Sequence, residues 1–161
     1  MKKSLNIVLI IVLAIFASNQ IFAQEAKYKC MLQMSNYDGL EAYVVVSLID
    51  SQGNYEKTLY VMGPDKQWYN GFKEWNKKLG KKKENLSGMT GASIAAGDRS
   101  ITTFSLDESK FNKGYKLRFE TAVEDDMYNV KDVELALTTE GITTKTEGKG
   151  YIRYVKLNKV Q

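Results

Sequence analysis

A period-two alternation of apolar and polar side chains is the feature that most restricts how this chain can fold. It is clearest over residues 115–123, and it recurs over residues 28–34 and 133–138. Successive side chains of a β-strand point to opposite faces of a sheet, so this pattern predicts strands with one buried face. Residues 42–49 form a continuous β-rich apolar run instead. That run predicts a strand that is buried on both faces.

Short turns separate the predicted strands. Residues 50–54 have turn composition, and residues 55–62 are typical of the returning strand of a hairpin. Further strands are predicted at residues 100–106 and 151–157. About seven strands with short connections indicate a mainly β fold, specifically an antiparallel immunoglobulin-like β-sandwich. The sequence has no P-loop and no Rossmann glycine fingerprint, which disfavours a nucleotide-binding α/β domain.

One segment follows the period of a helix. Trp68, Phe72, Trp75 and Leu79 are spaced at i, i+4, i+7 and i+11. This spacing predicts one inserted amphipathic helix with these four side chains on its buried face. Gly80 follows as the expected end of that helix.

The first 23 residues have the layout of a secretory signal peptide. Two lysines precede the apolar run of residues 5–17, and Ala23 is a small residue suited to precede a cleavage point. The run is shorter than the roughly 20 residues of a membrane span, and a retained anchor is the alternative. We therefore expect residues 24–161 to be a single β-sandwich domain, exported to the periplasm or the envelope exterior without a stable membrane span.

Composition excludes several classes of site. The chain has no histidine, which removes Ser-His and Cys-His nucleophilic pairs and all His-ligated metals. The single cysteine, Cys30, removes Cys-rich zinc and iron–sulfur sites. We expect Cys30 to be buried, the alternative being a disulfide between two chains. Lys2 and Lys3 supply two of the four net positive charges, so a strongly basic nucleic-acid binder is not supported.

Two charged segments are candidate binding sites. The first is a basic cluster of Lys77, Lys78, Lys81, Lys82 and Lys83. It is either a solvated helix end or a surface that attracts an anionic flavin nucleotide, an acidic partner or anionic lipid. The second is an acidic turn with Glu124, Asp125, Asp126, Asn129 and Asp132. Its oxygen atoms suit Ca²⁺, but it lacks the ligand order of an EF-hand loop, so no metal site is predicted.

The segment most informative about function is residues 87–93, with the sequence SGMTGAS. It resembles the flavinylation motif of extracytoplasmic flavoproteins, such as subunits of sodium-pumping quinone reductases. Five motif positions match in order: Ser87, Gly88, Thr90, Gly91 and Ala92. Ser93 stands at the acceptor position, where the motif has threonine. The resemblance implies that an FMN transferase joins FMN to the Ser93 hydroxyl through a phosphoester. The alternative is a Gly-rich connection between helix and strand.

A second resemblance extends over most of the chain. Several stretches are similar to the Bacteroidetes-type members of a periplasmic family, domain of unknown function 2271. They are residues 28–31, 56–61, 68–69, 73–75, 90–93, 114–122 and 148–154. The resemblance implies an exported single-domain protein linked to membrane redox proteins and FMN transferases.

These observations lead to two hypotheses of different classes. In the first, the chain is an electron carrier with covalent FMN, modified by an FMN transferase and serving a membrane-bound oxidoreductase rather than acting as an enzyme itself. Its cofactor-binding residues would be Ser93, Thr90, Gly91, Ala92, Ser87 and Tyr69, the last as an aromatic ring off the buried helix face. In the second, it is a cofactor-free β-sandwich binding module for an envelope protein or ligand. A hydrolytic or metal-dependent role is the remaining alternative.

Overall fold

The computed structural model describes residues 24–160, so the predicted signal peptide lies outside the described residues. Within this range the chain forms nine strands, one α-helix and three short 3₁₀ segments. The strands are β1 Glu25–Met34, β2 Tyr43–Ile49, β3 Tyr55–Met62, β4 Thr90–Gly91, β5 Arg99–Asp107, β6 Lys116–Ala122, β7 Tyr128–Ala136, β8 Thr146–Glu147 and β9 Ile152–Lys159. The helix α1 spans Lys73–Lys82, and the 3₁₀ segments are Lys66–Gly71, Glu108–Lys110 and Gly141–Thr143.

The strands form two sheets, with the orders β5-β1-β9-β8 and β4-β3-β2-β6-β7. Only the short β4 runs parallel to its neighbour, β3, among the described pairings. The prediction of a mainly β fold is confirmed. The two strands beyond the expected seven, β4 and β8, have two residues each and are too short to leave a periodic pattern.

The two sheets pack face to face around one hydrophobic core. Leu32 of β1 and Val155 of β9 meet Val46 of β2 and Phe119 of β6 in this core. Cys30 is fully buried there, as predicted, and burial raises the pKa of its thiol to about 12. The thiol therefore stays protonated and behaves as an apolar core group.

A second, smaller core covers the outer face of the five-stranded sheet. Val45 of β2 and Val61 of β3 pack there against Phe72 and Trp75. The indole N–H of Trp75 donates to Thr58 Oγ1 at 2.9 Å, which satisfies the only polar atom of this buried ring. Strand β2 is thus buried on both faces, as its continuous apolar run predicted.

The predicted helix is wrong in its first half. Lys66–Gly71 is a 3₁₀ segment, capped by the Asp65 side chain, and the backbone breaks at Phe72 before α1 begins. A 3₁₀ turn has three residues rather than 3.6, so side chains in this half do not follow the α-helical face. Tyr69 consequently points into the core and is 4% exposed, whereas Trp68 is 40% exposed.

The end of the helix also differs from the prediction. Gly80 lies within α1, which continues to Lys82. Lys83 adopts the left-handed conformation that closes the helix, with φ of 51°. The five lysines of the basic cluster are all exposed, in agreement with a solvated helix end.

Candidate functional site

The motif of residues 87–93 is held by backbone pairing on both sides of Ser93. Before it, Thr90 and Gly91 form β4, and the N–H of Gly63 donates to the Gly91 carbonyl at 2.7 Å. After it, Ile94 forms a bridge with Ala42 through two hydrogen bonds of 2.8 and 3.0 Å. Ser93 therefore has a defined place beside the edge of the five-stranded sheet rather than lying in a free loop.

The motif glycines have structural roles of their own. Gly88 has φ of 75°, a left-handed conformation that glycine adopts without steric cost. Gly91 lies against Tyr60, because a Cβ added to it would come within 2.4 Å of the Tyr60 hydroxyl. These contacts require glycine whether or not the segment carries a cofactor.

Ser93 is half-buried, and its hydroxyl donates a hydrogen bond to the Glu41 carboxylate. Glu41 precedes Ala42, so the Ala42–Ile94 bridge brings this carboxylate to the hydroxyl. The other motif residues Ser87, Thr90 and Ala92 are exposed. A carboxylate on the hydroxyl can hold its proton when the oxygen acts as a nucleophile.

A cleft of about 710 Å³ opens beside Ser93. Its volume lies within the range of about 300–1,000 Å³ that is usual for ligand sites. Apolar and aromatic side chains line much of it: Leu40, Tyr43, Trp68, Phe72, Val123 and Tyr128. Its charged lining consists of Glu41, Lys73, Glu124, Asp125 and Asp126. Four of these five charges are negative, so the cleft is acidic although the chain as a whole is cationic.

The exposed aromatic ring at this cleft is Trp68 and not Tyr69. Tyr69 packs edge-on against Trp75, with ring centroids 5.1 Å apart, and its hydroxyl donates to the Gly63 carbonyl at 3.1 Å. A buried ring with these contacts is not available for stacking at the surface. The expectation that Tyr69 is the accessible ring is therefore wrong, because it relied on a continuous α-helical periodicity.

Ser93 also borders a second hollow of about 350 Å³. Gly91 and Ala92 line this hollow together with Arg99. The Arg99 Nε–H donates to the Gln33 side chain at 3.1 Å, which holds the guanidinium at the surface. Ser93 is thus shared between an acidic aromatic cleft and a hollow whose charged lining is the permanent cation Arg99 with the carboxylates of Glu41 and Asp98.

The basic cluster lies apart from the acidic cleft. Lys73 at the start of α1 lines the cleft, whereas Lys82 is nine residues further along the helix, about 14 Å at 1.5 Å per residue. Lys82 donates to the Glu56 carbonyl and lies 5.4 Å from the centre of the Tyr55 ring. The structure therefore does not bring the end of this cluster to Ser93.

The acidic segment divides into two parts with different roles. Glu124, Asp125 and Asp126 form an exposed turn at the rim of the cleft. Asp132 is buried in β7, where its carboxylate accepts four hydrogen bonds, from the Thr121 hydroxyl and from the backbone N–H groups of residues 149, 150 and 152. The Asp132 carboxylate thus connects β7 of one sheet to β9 of the other and to the residues that precede β9. Residues 24–160 contain no group of three carboxylate or thiol side chains placed to hold a metal ion.

A buried carboxylate lies behind the cleft. Glu120 is 3% exposed and accepts a hydrogen bond from the hydroxyl of Tyr128, a residue that lines the cleft. Desolvation raises the pKa of Glu120 to about 7 and raises the pKa of Tyr128 as well. This burial could not be predicted from the sequence, since Glu120 occupies a polar position of an alternating strand.

Comparison with protein families places the chain near one family. A family model described as "Predicted periplasmic protein (DUF2271)" matches residues 25–154. Comparison with curated proteins and with solved structures finds no match. In the described part of the chain no helix is long and apolar enough to cross a membrane.

Proposed function

This chain belongs to the family of predicted periplasmic proteins DUF2271, and we propose that it is an exported carrier of FMN attached covalently to Ser93. It would serve electron transfer with a membrane-bound oxidoreductase. The family's periplasmic description agrees with the export that the first 23 residues predict. The observation that carries the proposal is the position of the Ser93 hydroxyl, half-exposed at the junction of an aromatic cleft and a hollow that Arg99 lines.

The residues present fit such a group. The exposed indole of Trp68 and the apolar lining of the cleft suit a planar, largely apolar ring system. A phosphoester is an anion, and Arg99 is the cationic residue that the hollow offers it, beside the carboxylates of Glu41 and Asp98. Trp68 and Arg99 thus provide different surroundings on the two sides of the attachment oxygen.

Bound FMN would supply the redox chemistry. The protein's own residues supply attachment and surroundings. Ser93 provides the nucleophilic oxygen, and Glu41 accepts its hydrogen bond. The aromatic lining limits access of water to a ring bound in the cleft. In this role the protein does not turn over a substrate of its own.

The test is the intact mass of the mature protein after coexpression and export with an FMN transferase. We expect one added FMN in the wild type and in Ser93→Thr, which restores the usual acceptor residue. Ser93→Ala should lack it, whereas Thr103→Ala, which removes an exposed hydroxyl outside the motif, should retain it. An unmodified wild type, with the transferase active on a control substrate, would refute the proposal. FMN retained in Ser93→Ala would show that the attachment site is the hydroxyl of another residue.

The second candidate function is a cofactor-free binding module for an envelope protein or ligand. The acidic apolar cleft favours it, because such a cleft can accept a ligand without any covalent group. Absorbance in the flavin bands separates the two candidates. Its absence after coexpression, together with a saturable ligand for the cleft, would favour the module.

We also propose an immunoglobulin-like arrangement for the two sheets. The orders β5-β1-β9 and β3-β2-β6-β7 support it. They correspond to the immunoglobulin orders E-B-A and C′-C-F-G. In this correspondence β9 takes the place of strand A, so it follows the other strands in sequence instead of preceding them. A solved structure of the protein would test this correspondence.

A further inference from the structure

We propose that the acidic cleft beside Ser93 docks a basic segment of a partner protein, one in which lysine or arginine residues flank an apolar side chain. Docking of this kind does not require a flavin on Ser93. It goes beyond the carrier function because it identifies the chemistry of a partner from the cleft itself.

The first argument is the concentration of exposed apolar groups. Among residues 24–160 only five large hydrophobic side chains are exposed: Leu40, Trp68, Ile101, Met127 and Val160. Leu40 (60% exposed) and Trp68 line the cleft, and Met127 (63% exposed) follows the lining residue Asp126 directly. Single exposed apolar residues are ordinary, but their grouping around one concave surface indicates an interaction site.

The second argument is uncompensated negative charge. Glu41, Glu124, Asp125 and Asp126 line the cleft, with Lys73 as the one cationic residue there. Five other carboxylates of the described chain form salt bridges: Glu25, Glu56, Glu108, Glu134 and Glu147. No lysine or arginine between residues 24 and 160 forms a salt bridge with the four carboxylates of the cleft. The cleft therefore offers unpaired negative charge on a chain whose net charge is positive.

The third argument is that the acidic rim is held in place before any partner arrives. The N–H of Asp126 donates to the Val123 carbonyl at 3.2 Å and closes the turn, with Asp125 in the left-handed conformation at φ of 57°. The N–H of Met127 donates to the Tyr151 hydroxyl at 3.2 Å, which ties the turn to the other sheet. A preformed rim loses less conformational entropy on binding.

The charge and the apolar lining together select the occupant. Basic side chains complement the rim, and an arginine can also stack on the exposed Trp68 indole. An apolar side chain between them would cover the lining around Leu40. A bare metal ion would leave this lining exposed, and the described carboxylates do not form a metal-binding group.

The test uses a defined probe, the acetylated and amidated peptide RLKRFK, with ELDEFE as the acidic counterpart. Binding is followed by tryptophan fluorescence, because Trp68 is exposed whereas the second tryptophan, Trp75, is buried. Trp68→Phe assigns the signal, and calorimetry measures the affinity. The titrations use protein produced without an FMN transferase, which keeps Ser93 and its hydrogen bond to Glu41 but carries no flavin, so their outcome is independent of flavinylation.

Two triple variants with the same change in net charge separate an effect of the rim carboxylates on peptide affinity from an effect of net charge. The rim variant carries Glu124→Gln, Asp125→Asn and Asp126→Asn. The control variant carries Glu25→Gln, Glu140→Gln and Glu147→Gln at exposed positions outside the cleft. We expect the rim variant to bind RLKRFK about tenfold more weakly, and the control variant to bind within about twofold of the parent. Raising the salt concentration should weaken parental binding by a similar factor.

Three results would overturn the proposal. They are the absence of RLKRFK binding, equal binding of ELDEFE, and equal loss of affinity in both triple variants. Self-association of the protein that the rim variant abolishes, with no peptide binding, would instead identify a second copy of the chain as the occupant. Matching thermal unfolding of both variants ensures that affinity and not folding is compared.

Discussion

Replacing Glu120 by glutamine should remove most of the pH dependence of stability between pH 5 and pH 8. Glu120 lies on β6 beneath α1 and accepts a hydrogen bond from the Tyr128 hydroxyl. Its burial disfavours the ionised form, the Tyr128 hydroxyl and the positive charge of Arg118 favour it, and the negative charge of Glu74 disfavours it. Desolvation is the largest of these effects, so the pKa is raised to about 7 from its ordinary value of 4.5.

The raised pKa of Glu120 determines the sign and the size of the pH dependence of the free energy of unfolding. The folded protein binds this proton more tightly than the unfolded chain, so the stabilisation is fully present below pH 4.5. It is lost as the pH rises through about 7, where the folded protein must ionise a buried group. The difference between the two pKa values corresponds to a loss of about 3 kcal/mol in the free energy of unfolding. Glutamine is neutral at every pH and keeps the shape of the protonated acid.

The assay is urea unfolding at several pH values between 5 and 8. The chain has no histidine, the side chain that ordinarily titrates in this range. The wild type should lose about 3 kcal/mol from pH 5 to pH 8, whereas Glu120→Gln should change little. Glu134→Gln is the matched control, because Glu134 pairs with Arg118 on the same sheet and its pKa is lowered. It should keep the wild-type slope. Parallel curves for the wild type and Glu120→Gln would refute this account.

Three further substitutions test the packing that positions the cleft. Asp132→Ala should lower the free energy of unfolding by about 3–5 kcal/mol in urea titrations, because four hydrogen-bond donors, two in buried and two in partly buried bonds, lose their acceptor. Ser47→Ala should raise it by about 1 kcal/mol, since the buried Ser47 hydroxyl has no hydrogen-bond partner in the described chain. Gly91→Ala should lower the midpoint of thermal unfolding by contact with the Tyr60 hydroxyl, and adding Tyr60→Phe should restore most of the loss. An unchanged midpoint in Gly91→Ala would contradict the close packing at that glycine.

The strands were predictable because their signal is local. A strand with one buried face needs only alternation, and β1, β5 and β6 follow the predicted segments closely. The run of residues 42–49 predicted burial on both faces, and β2 has it. The smaller core on the outer face of the five-stranded sheet was predictable in part. Phe72 and Trp75 pack there as expected, whereas Trp68 does not.

The exchange of Trp68 and Tyr69 was not predictable from periodicity. The side chain of Asp65 caps a 3₁₀ turn, and the backbone at Phe72 leaves the helical region before α1 begins. Apolar spacing alone cannot distinguish one continuous helix from two short helical segments that meet at a break. Because both rings are large and aromatic, either can fill the core, and the local backbone decides which one does.

The electrostatics of the site depend on contacts between distant parts of the sequence. Glu41 and Ser93 meet through the Ala42–Ile94 bridge, and the turn of residues 124–126 reaches the same cleft from the connection between β6 and β7. The basic cluster is close to the motif in sequence and would predict a cationic site. The cleft beside Ser93 is acidic instead. A phosphoester on Ser93 would add a negative charge to that surface. The added charge has the same sign as the rim and would favour a basic partner segment, but the flavin ring and that segment would both cover Trp68 and the apolar lining of the cleft. We therefore expect RLKRFK to bind the flavinylated protein more weakly than the unmodified protein, and equal affinities would place the flavin outside the cleft.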